Sequence, residues 1–285
     1  MKAITNVRSK NVLYSVTDRN SMWGWEFPNT NPEKADIIFM FNDFLFKKDV
    51  LRWQKKGKKV IVFEHGWNSF FDYELNNQEF IADGYMALGK NTAESLSRAG
   101  IPKKKILITG NPNFENLKSN DNDNPVPSII YTALHWFGER TKYNTQKLNK
   151  IIKTFNKYTY IHVKTIADSH INIPKEISGV WYSEVSKKKN LFREMALGLS
   201  NYDIVLTPKE STFDFIALLI GKKVFRIGAE KEYRKEGEQH SRNILPYVDI
   251  STDLLLQEPQ INVDLKDELS PSMSIEKILN WVEKL

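Results

Sequence analysis

The chain has 285 residues, which exceeds the usual size of one α/β domain and predicts two domains, each able to bury a core of its own. Its composition, 41% hydrophobic and 12% aromatic residues without a long apolar run, is that of a globular protein and argues against a membrane-spanning helix. A net charge of +6 allows an anionic partner but does not indicate which kind.

The amino-terminal residues lack the apolar core of a signal peptide, and the chain contains no cysteine. Together these features predict a cytoplasmic protein without disulfide bonds or thiolate metal ligands. The histidines His65, His135, His162 and His170 are too far apart in sequence for metal-ligand spacing. We therefore expect no metal site and no tightly bound cofactor.

Short apolar runs alternate with helical stretches along the chain, which is the pattern of βαβ units on a parallel sheet. In the first half the predicted helices are residues 44–55 and 91–99, and the predicted strands are residues 11–16, 36–41, 59–64, 84–88 and 105–109. The polar, proline-containing segment 119–127 is the predicted linker. The first domain is then residues 1–118.

The second predicted domain is residues 128–285, and it repeats the alternation of strands and helices. Its predicted strands are residues 128–132, 159–164, 180–183 and a short one near 247–250. Its predicted helices are residues 144–157, 189–199 and 274–284, the last of which is a candidate to cross back onto the first domain. Residues 203–228 form a strand, a polar turn, a buried helix and a second strand.

The first candidate site follows the third predicted strand, where His65 and Gly66 stand together. A histidine at a strand end can act as a general base or bind a sugar hydroxyl, and the glycine lets the backbone approach a ligand. A structural histidine fits the same pattern. Trp23, Trp25 and Trp67 are candidates to stack on sugar rings or bases of an acceptor, and core packing is their alternative role.

Further polar turns follow later strands. Gly110 and Asn111 end the first domain's last strand, either as a backbone turn facing the space between the domains or as a simple turn. His135 and Arg140 follow the second domain's first strand, where arginine can pair with phosphate oxygens, and His170 lies in the next such loop. The alternative for His135 is stacking on its neighbouring tryptophan.

The turn inside residues 203–228 carries Lys209, Ser211 and Thr212 at the start of a helix. Backbone N–H groups and the positive end of the helix dipole favour a diphosphate there, and ligands of open parallel sheets bind at the carboxyl ends of strands. Ser211 is equally suited to cap the helix. Asp214, in the first helical turn, either complements the dipole or binds a ligand hydroxyl.

The order of these motifs resembles that of the GT-B superfamily, whose members have two Rossmann domains. It includes nucleotide-sugar glycosyltransferases, polyol-phosphate transferases and UDP-N-acetylglucosamine 2-epimerases. The resemblance runs from about residue 59 to residue 237. Its most specific part is carried by Gly89-Lys90, Leu96, Gly100-Ile101-Pro102, Lys105-Ile106, Thr109-Gly110-Asn111-Pro112 and Glu115-Asn116-Leu117.

The second half resembles the epimerase branch, in which the corresponding groups hold the nucleotide diphosphate and its sugars. By this resemblance His135, Ser211, Thr212 and Arg226 are donor-site residues. The superfamily usually has a hydroxyl-binding glutamate where this chain has Ile216, and Asp214 is the candidate to replace it. The first half departs from the epimerases, since the His65 motif lacks their glutamate, and looks more like the transferase branches, in which the histidine is the candidate base.

The resemblance implies an α/β fold of two Rossmann-like domains that face each other across a cleft. It implies a nucleotide-diphosphate-sugar-dependent glycosyltransferase that moves a sugar or polyol phosphate to a hydroxyl acceptor, with UDP as the expected nucleotide and no metal. The acceptor is a surface glycan, a lipid-linked sugar or a modified DNA base. The alternatives are a 2-epimerase and a non-catalytic module that binds nucleotide sugars.

Overall fold

The computed structural model describes residues 13–15, 32–40, 43, 46–64, 79–118, 127–132, 139–155, 160–165, 178–181, 191–208, 211–228 and 244–285. The chain divides into two compact units, the first made of residues 1–115 with 263–285 and the second of residues 116–262. Each unit contains one parallel sheet with helices, which confirms the predicted α/β fold. The predicted linker lies outside the described residues except for Pro127.

The first unit's sheet has its described strands paired in parallel in the order in which they occur in the chain. The strands are β1 (Leu13–Ser15), β2 (Ile37–Met40), β3 (Lys59–Phe63), β4 (Gly84–Ala87) and β5 (Ile106–Ile108). The described helices between them are α1 (Lys47–Lys55) and α2 (Lys90–Arg98). Right-handed crossovers between strands paired in this order place the connecting helices on one face of the sheet.

The first unit covers its two sheet faces from different parts of the chain. On one face the strands pack against α1 and α2 through Trp53 and Leu96. On the other face they pack against Ile278, Leu279 and Val282 of a helix near the chain's end. This helix, α7 (Ile275–Val282), follows the short α6 (Leu265–Glu268), and residues 263–285 are called the return segment below.

Backbone hydrogen bonds and close packing fix the return segment at the carboxyl ends of β4 and β5. The Ser270 N–H donates to the Leu88 carbonyl at 2.9 Å, and the Met273 N–H donates to the Thr109 carbonyl at 2.7 Å. A Cβ on Gly110 would lie 2.2 Å from the Ser270 carbonyl oxygen. The glycine within the Thr-Gly-Asn-Pro motif therefore serves the close approach of two backbone segments.

The second unit has a doubly wound sheet. Its strands are β6 (Ser128–Thr132), β7 (Tyr160–Thr165), β8 (Ser178–Trp181), β9 (Ile204–Thr207), β10 (Lys223–Ile227) and β11 (Tyr247–Val248). They lie in the order β11-β10-β9-β6-β7-β8, so the chain builds outward from β6 in one direction and then returns to build outward in the other. The order reverses between β6 and β9, which is the topological switch point of the sheet.

Helices lie on both faces of the second sheet. The helix α3 (Glu139–Phe155) packs on one face through Leu148, Ile151 and Phe155. The helices α4 (Leu191–Ser200) and α5 (Thr212–Leu219) follow in the chain, and α5 packs against β9 and β10. At the amino ends of the switch-point strands, the Asp203 carboxylate accepts a hydrogen bond from the Ser128 N–H at 2.7 Å.

The main differences from the predicted elements are helix and strand boundaries. The helix expected at residues 144–157 begins at Glu139, so the first-turn sequence Glu-Arg-Thr-Lys-Tyr is helical rather than part of the loop. The strand expected at 180–183 is residues 178–181. Among the described residues, no helix combines the length and the apolar character needed to cross a membrane.

We predict that Gly110→Ala lowers the stability of the protein by about 2 kcal/mol or more, because the residue has φ +59 and the new methyl group would overlap the Ser270 carbonyl. The measurement is denaturant unfolding. The control is Gly57→Ala, where φ is +75 but no atom lies within 4 Å. Equal losses in the two variants would contradict the role of the return segment.

Candidate functional site

The candidate site lies at the switch point of the second sheet. Thr132 and Thr207 are the last residues of β6 and β9, and the preceding residues Tyr131 and Leu206 are paired directly across the two strands. The two threonines therefore stand side by side at the carboxyl edge, where open parallel sheets bind their ligands. Both side chains are buried.

A buried carboxylate joins these two threonines to the start of α5. Asp214 is 1% exposed, and its Oδ1 accepts a hydrogen bond from the Thr132 hydroxyl at 3.2 Å. Its Oδ2 accepts hydrogen bonds from the Thr207 hydroxyl at 3.0 Å and the Ser211 hydroxyl at 2.6 Å. A buried carboxylate is costly unless donors satisfy it, and these hydroxyl groups supply them. We call these four residues the Asp214 cluster.

Ser211 does not cap the helix with its side chain, although it occupies the N-cap position. The spacing Ser-x-x-Asp is that of a capping box, in which the serine oxygen accepts a hydrogen bond from a backbone N–H. Here the serine hydroxyl instead donates to the aspartate side chain. Asp214 lies in the first turn of α5, as expected, and it bonds to three hydroxyl groups of the protein.

A buried arginine lies on the neighbouring strand. Arg226 is paired with Thr207 across β9 and β10 and is 4% exposed. Its Nη2 donates to the Tyr247 hydroxyl at 2.6 Å, and its guanidinium carbon lies 3.9 Å from the centroid of the Tyr247 ring. Phe225 and Ile227 belong to the core on the α3 face, so strand alternation directs Arg226 to the face that carries α5.

The remaining predicted site residues are spread over both units. Thr212 is the first residue of α5 and is half-buried. Arg140 lies in the first turn of α3 rather than in the preceding loop. In the first unit, Gly110 packs against the return segment, and Asn111 is fully buried with its side-chain oxygen accepting from the Asn113 N–H at 2.9 Å.

Several predicted site residues lie outside the described part of the chain. They are His65, Gly66, Trp23, Trp25, Trp67, His135, His170 and Lys209. Of the donor-site residues suggested by sequence, the structure therefore brings Ser211, Thr212, Asp214 and Arg226 to the carboxyl edge of one sheet. Within the described ranges, no group of three or more His, Asp and Glu side chains is arranged to hold a metal ion.

Sequence reasoning did not single out Tyr247. This residue meets Arg226 only because β11 pairs with β10, and the chain between those strands carries no periodic signal that predicts the pairing. Thr132 and Thr207 did carry a signal. Each is a polar residue that ends an apolar strand, which is where side chains of parallel strands converge.

No protein-family model and no curated protein matches this sequence. Among solved structures, the chain is similar to MnaA of S. aureus with UDP, at 15% identity and a TM-score of 0.49, over 69% of this chain and 58% of that one. It is similar to the wall teichoic acid polymerase TagF at 12% identity and a TM-score of 0.45, over 76% and 61%. It is similar to a UDP-N-acetylglucosamine 2-epimerase at 15% identity and a TM-score of 0.44, over 76% and 60%.

The chain spans less than two thirds of the length of each of these three proteins.

We predict that Thr207→Val destabilises the protein by about 1–3 kcal/mol, because it removes a hydroxyl donor from a buried carboxylate without changing the side chain's shape. Denaturant unfolding measures the loss. A double-mutant cycle with Asp214→Asn supplies the control, since the cost of Thr207→Val should shrink when the carboxylate is absent. Additive losses would contradict a direct interaction between the two side chains.

Proposed function

We propose that this protein is a glycosyltransferase that uses a nucleotide-diphosphate sugar and binds this donor in its second unit. The observation that supports the proposal most is the Asp214 cluster at the switch point, with Arg226 on the neighbouring strand β10. A switch point is the preferred ligand site of a doubly wound sheet. The described strands of the first sheet, paired in chain order, have no such reversal.

The donor's diphosphate is the proposed ligand of the turn before α5 and of Arg226. The start of a helix favours negative charge, and an arginine in a water-poor site stabilises the charge that develops on a leaving diphosphate. Strand pairing sets Arg226 beside Thr207, one strand away from the turn. Lys209, His135 and His170 are further proposed contacts on the strength of the motif order alone.

The first unit is the proposed acceptor platform, with His65 as the general base. Its imidazole takes the proton of the acceptor hydroxyl while the acceptor oxygen bonds to the transferred group. The bond from that group to the diphosphate breaks in the same reaction, and the leaving diphosphate carries away the electron pair. Because the helix start and the basic side chains stabilise the leaving group, this scheme routes no step through a metal ion.

The acceptor is proposed to be a hydroxyl of a glycan or a lipid-linked sugar. A DNA acceptor would need cationic side chains to contact its phosphates, and two lysines of the basic stretch at residues 55–59 are paired with carboxylates. Lys56 pairs with Glu33 at 2.5 Å, and Lys59 pairs with Asp83 at 3.9 Å. A duplex phosphate would have to compete with these carboxylates for the two lysines, and this favours a glycan or a lipid-linked sugar as the acceptor.

A donor panel tests the proposed reaction. Purified protein is incubated with UDP-, GDP- and CDP-activated sugars, with and without acceptor glycans, and products are identified by mass spectrometry. UDP sugars come first because the similar MnaA structure contains UDP. Transfer that requires an acceptor supports the proposal, whereas a donor that changes its sugar stereochemistry without any acceptor identifies the 2-epimerase alternative.

We predict that His65→Ala lowers the transfer rate by about 100-fold or more while leaving donor affinity unchanged, as expected for loss of a general base. The measurement is kcat and donor KM with the active pair from the panel. His162→Ala, a substitution within β7, is the comparison variant for a general effect of losing a histidine. An unchanged rate in His65→Ala would reject this residue as the base.

We predict that Arg226→Lys weakens binding of the donor's nucleoside diphosphate roughly tenfold or more, because lysine cannot supply the paired N–H groups of a guanidinium. Calorimetric titration measures the affinity. Lys223→Ala is the matched control, since Lys223 begins the same strand at the opposite edge and pairs with Glu258 at 2.5 Å. Equal effects of the two substitutions would indicate a general effect of altering this strand instead of a contact between Arg226 and the diphosphate.

A further inference from the structure

The direction of one hydrogen bond in the Asp214 cluster limits what a ligand can offer to Ser211. An ionised carboxylate has no proton to give, so the Ser211 hydroxyl is the donor in its 2.6 Å contact with Asp214 Oδ2. A serine hydroxyl has one proton and two acceptor lone pairs. Once that proton is held by Asp214, the Ser211 oxygen can act towards a ligand only as an acceptor.

The two side chains of this pair differ in their exposure to solvent. Asp214 is 1% exposed and lies behind the hydroxyl groups of Thr132, Thr207 and Ser211. Ser211 is half-buried, and the structure shows no described donor that reaches its hydroxyl oxygen. The Asp214 carboxylate itself is buried, so the group that a ligand meets is the Ser211 oxygen. This oxygen favours a ligand that donates a hydrogen bond, because the Ser211 proton is held by Asp214.

A phosphate group is a poor partner for such an oxygen. Phosphate oxygens accept hydrogen bonds, so two acceptors would face each other, with the Asp214 carboxylate adding like-charge repulsion a short distance behind. A hydroxyl group is a good partner, because it can donate its proton to Ser211. The hydroxyls of a nucleotide sugar lie on its ribose and on its sugar.

We propose that Ser211 determines specificity by accepting a hydrogen bond from a ribose or sugar hydroxyl of the donor substrate, with Asp214 as the positioning residue that holds the serine proton. The inference rests on the proposed function. It assigns the diphosphate to Arg226 and to the backbone of the turn, and it removes the Ser211 hydroxyl from the phosphate contacts. Asp214 then acts through Ser211 instead of touching the ligand.

The test compares ligands that differ only in hydroxyl groups. The first pair is the nucleoside diphosphate bound by the parent protein, from UDP, GDP and CDP, and its 2′,3′-dideoxy analogue. The second pair is the corresponding nucleotide sugar and its deoxyfluoro sugar analogues. Each is titrated into the folded parent protein and into Ser211→Ala, so that each variant and ligand pair forms a double-mutant cycle.

If Ser211 contacts the ribose, Ser211→Ala weakens the diphosphate roughly 5- to 10-fold and leaves the dideoxy analogue's affinity unchanged. If it contacts the sugar, the loss appears only with the intact nucleotide sugar and disappears with one deoxyfluoro analogue. If Ser211→Ala loses the same amount of affinity for every ligand, with or without its hydroxyls, the inference is wrong. Ser211 would then contact the phosphates or the base. No loss with any ligand overturns it as well.

A comparison of Asp214→Asn with Asp203→Asn separates a role of Asp214 in positioning Ser211 from a role in the stability of the protein. Both carboxylates join β6 to the second half of the sheet, Asp203 at the amino ends of the strands and Asp214 at the carboxyl ends. Asp214→Asn should show the same hydroxyl-dependent loss of affinity as Ser211→Ala. The asparagine amide can donate a hydrogen bond to the Ser211 oxygen, and the Ser211 hydroxyl is then no longer held as a donor to residue 214. Asp203→Asn should destabilise the protein without changing the ratio of affinities for the two ligands.

The outcomes also separate this inference from the function on which it rests. If the parent protein binds no nucleoside diphosphate or nucleotide sugar, the proposed function fails and the inference fails with it. If the parent binds and transfers but Ser211→Ala shows no dependence on ligand hydroxyls, the inference alone fails. A changed ratio in Asp203→Asn equal to that in Asp214→Asn would reject the positioning role.

Discussion

The need to cover both faces of a parallel sheet is the constraint on which this structure depends. Parallel strands are apolar on both sides, because helices must pack on each face. The second unit meets this need within its own sequence, since its strand order reverses and its helices fall on both faces. The first unit does not, because its described strands follow chain order, and its second face is covered by α7 from the return segment.

This difference bears on where a ligand can bind. A reversal of strand order leaves a crevice between neighbouring crossovers at the carboxyl edge, and the Asp214 cluster lies at that point in the second sheet. In the first sheet the carboxyl ends of β4 and β5 are occupied by the return segment, which bonds to Leu88 and Thr109. The polar residues around Gly110 thus have partners within their own unit.

Much of the fold could be predicted from the sequence because it depends on local patterns. Apolar runs such as residues 59–63 and 204–207 identify their strands directly, and the glycine after α2 marks that helix's end. Strand order could not be predicted, because it follows from long-range pairing. The same holds for the contacts of Gly110 with Ser270, which are distant in the chain and close in space.

The candidate site could be predicted in position but not in hydrogen-bond direction. Ser211, Thr212 and Asp214 lie at the start of a helix that follows a strand, and Arg226 lies near the end of the next strand; the sequence pattern predicts both places. That Ser211 donates to Asp214 instead of capping α5 depends on side-chain geometry, since the same Ser-x-x-Asp spacing also fits a capping box. The pairing of Arg226 with Tyr247 likewise depends on how β11 joins the sheet.

The return segment gives this chain an unusual order of assembly. The second unit is continuous in sequence, so it needs no residue beyond 262 to complete its sheet and core. The first unit has most of its residues earlier but lacks the cover for one apolar sheet face until residues 263–285 emerge. The first unit therefore cannot bury both faces of its sheet until residues 263–285 are present, although most of its residues are synthesised before the second unit.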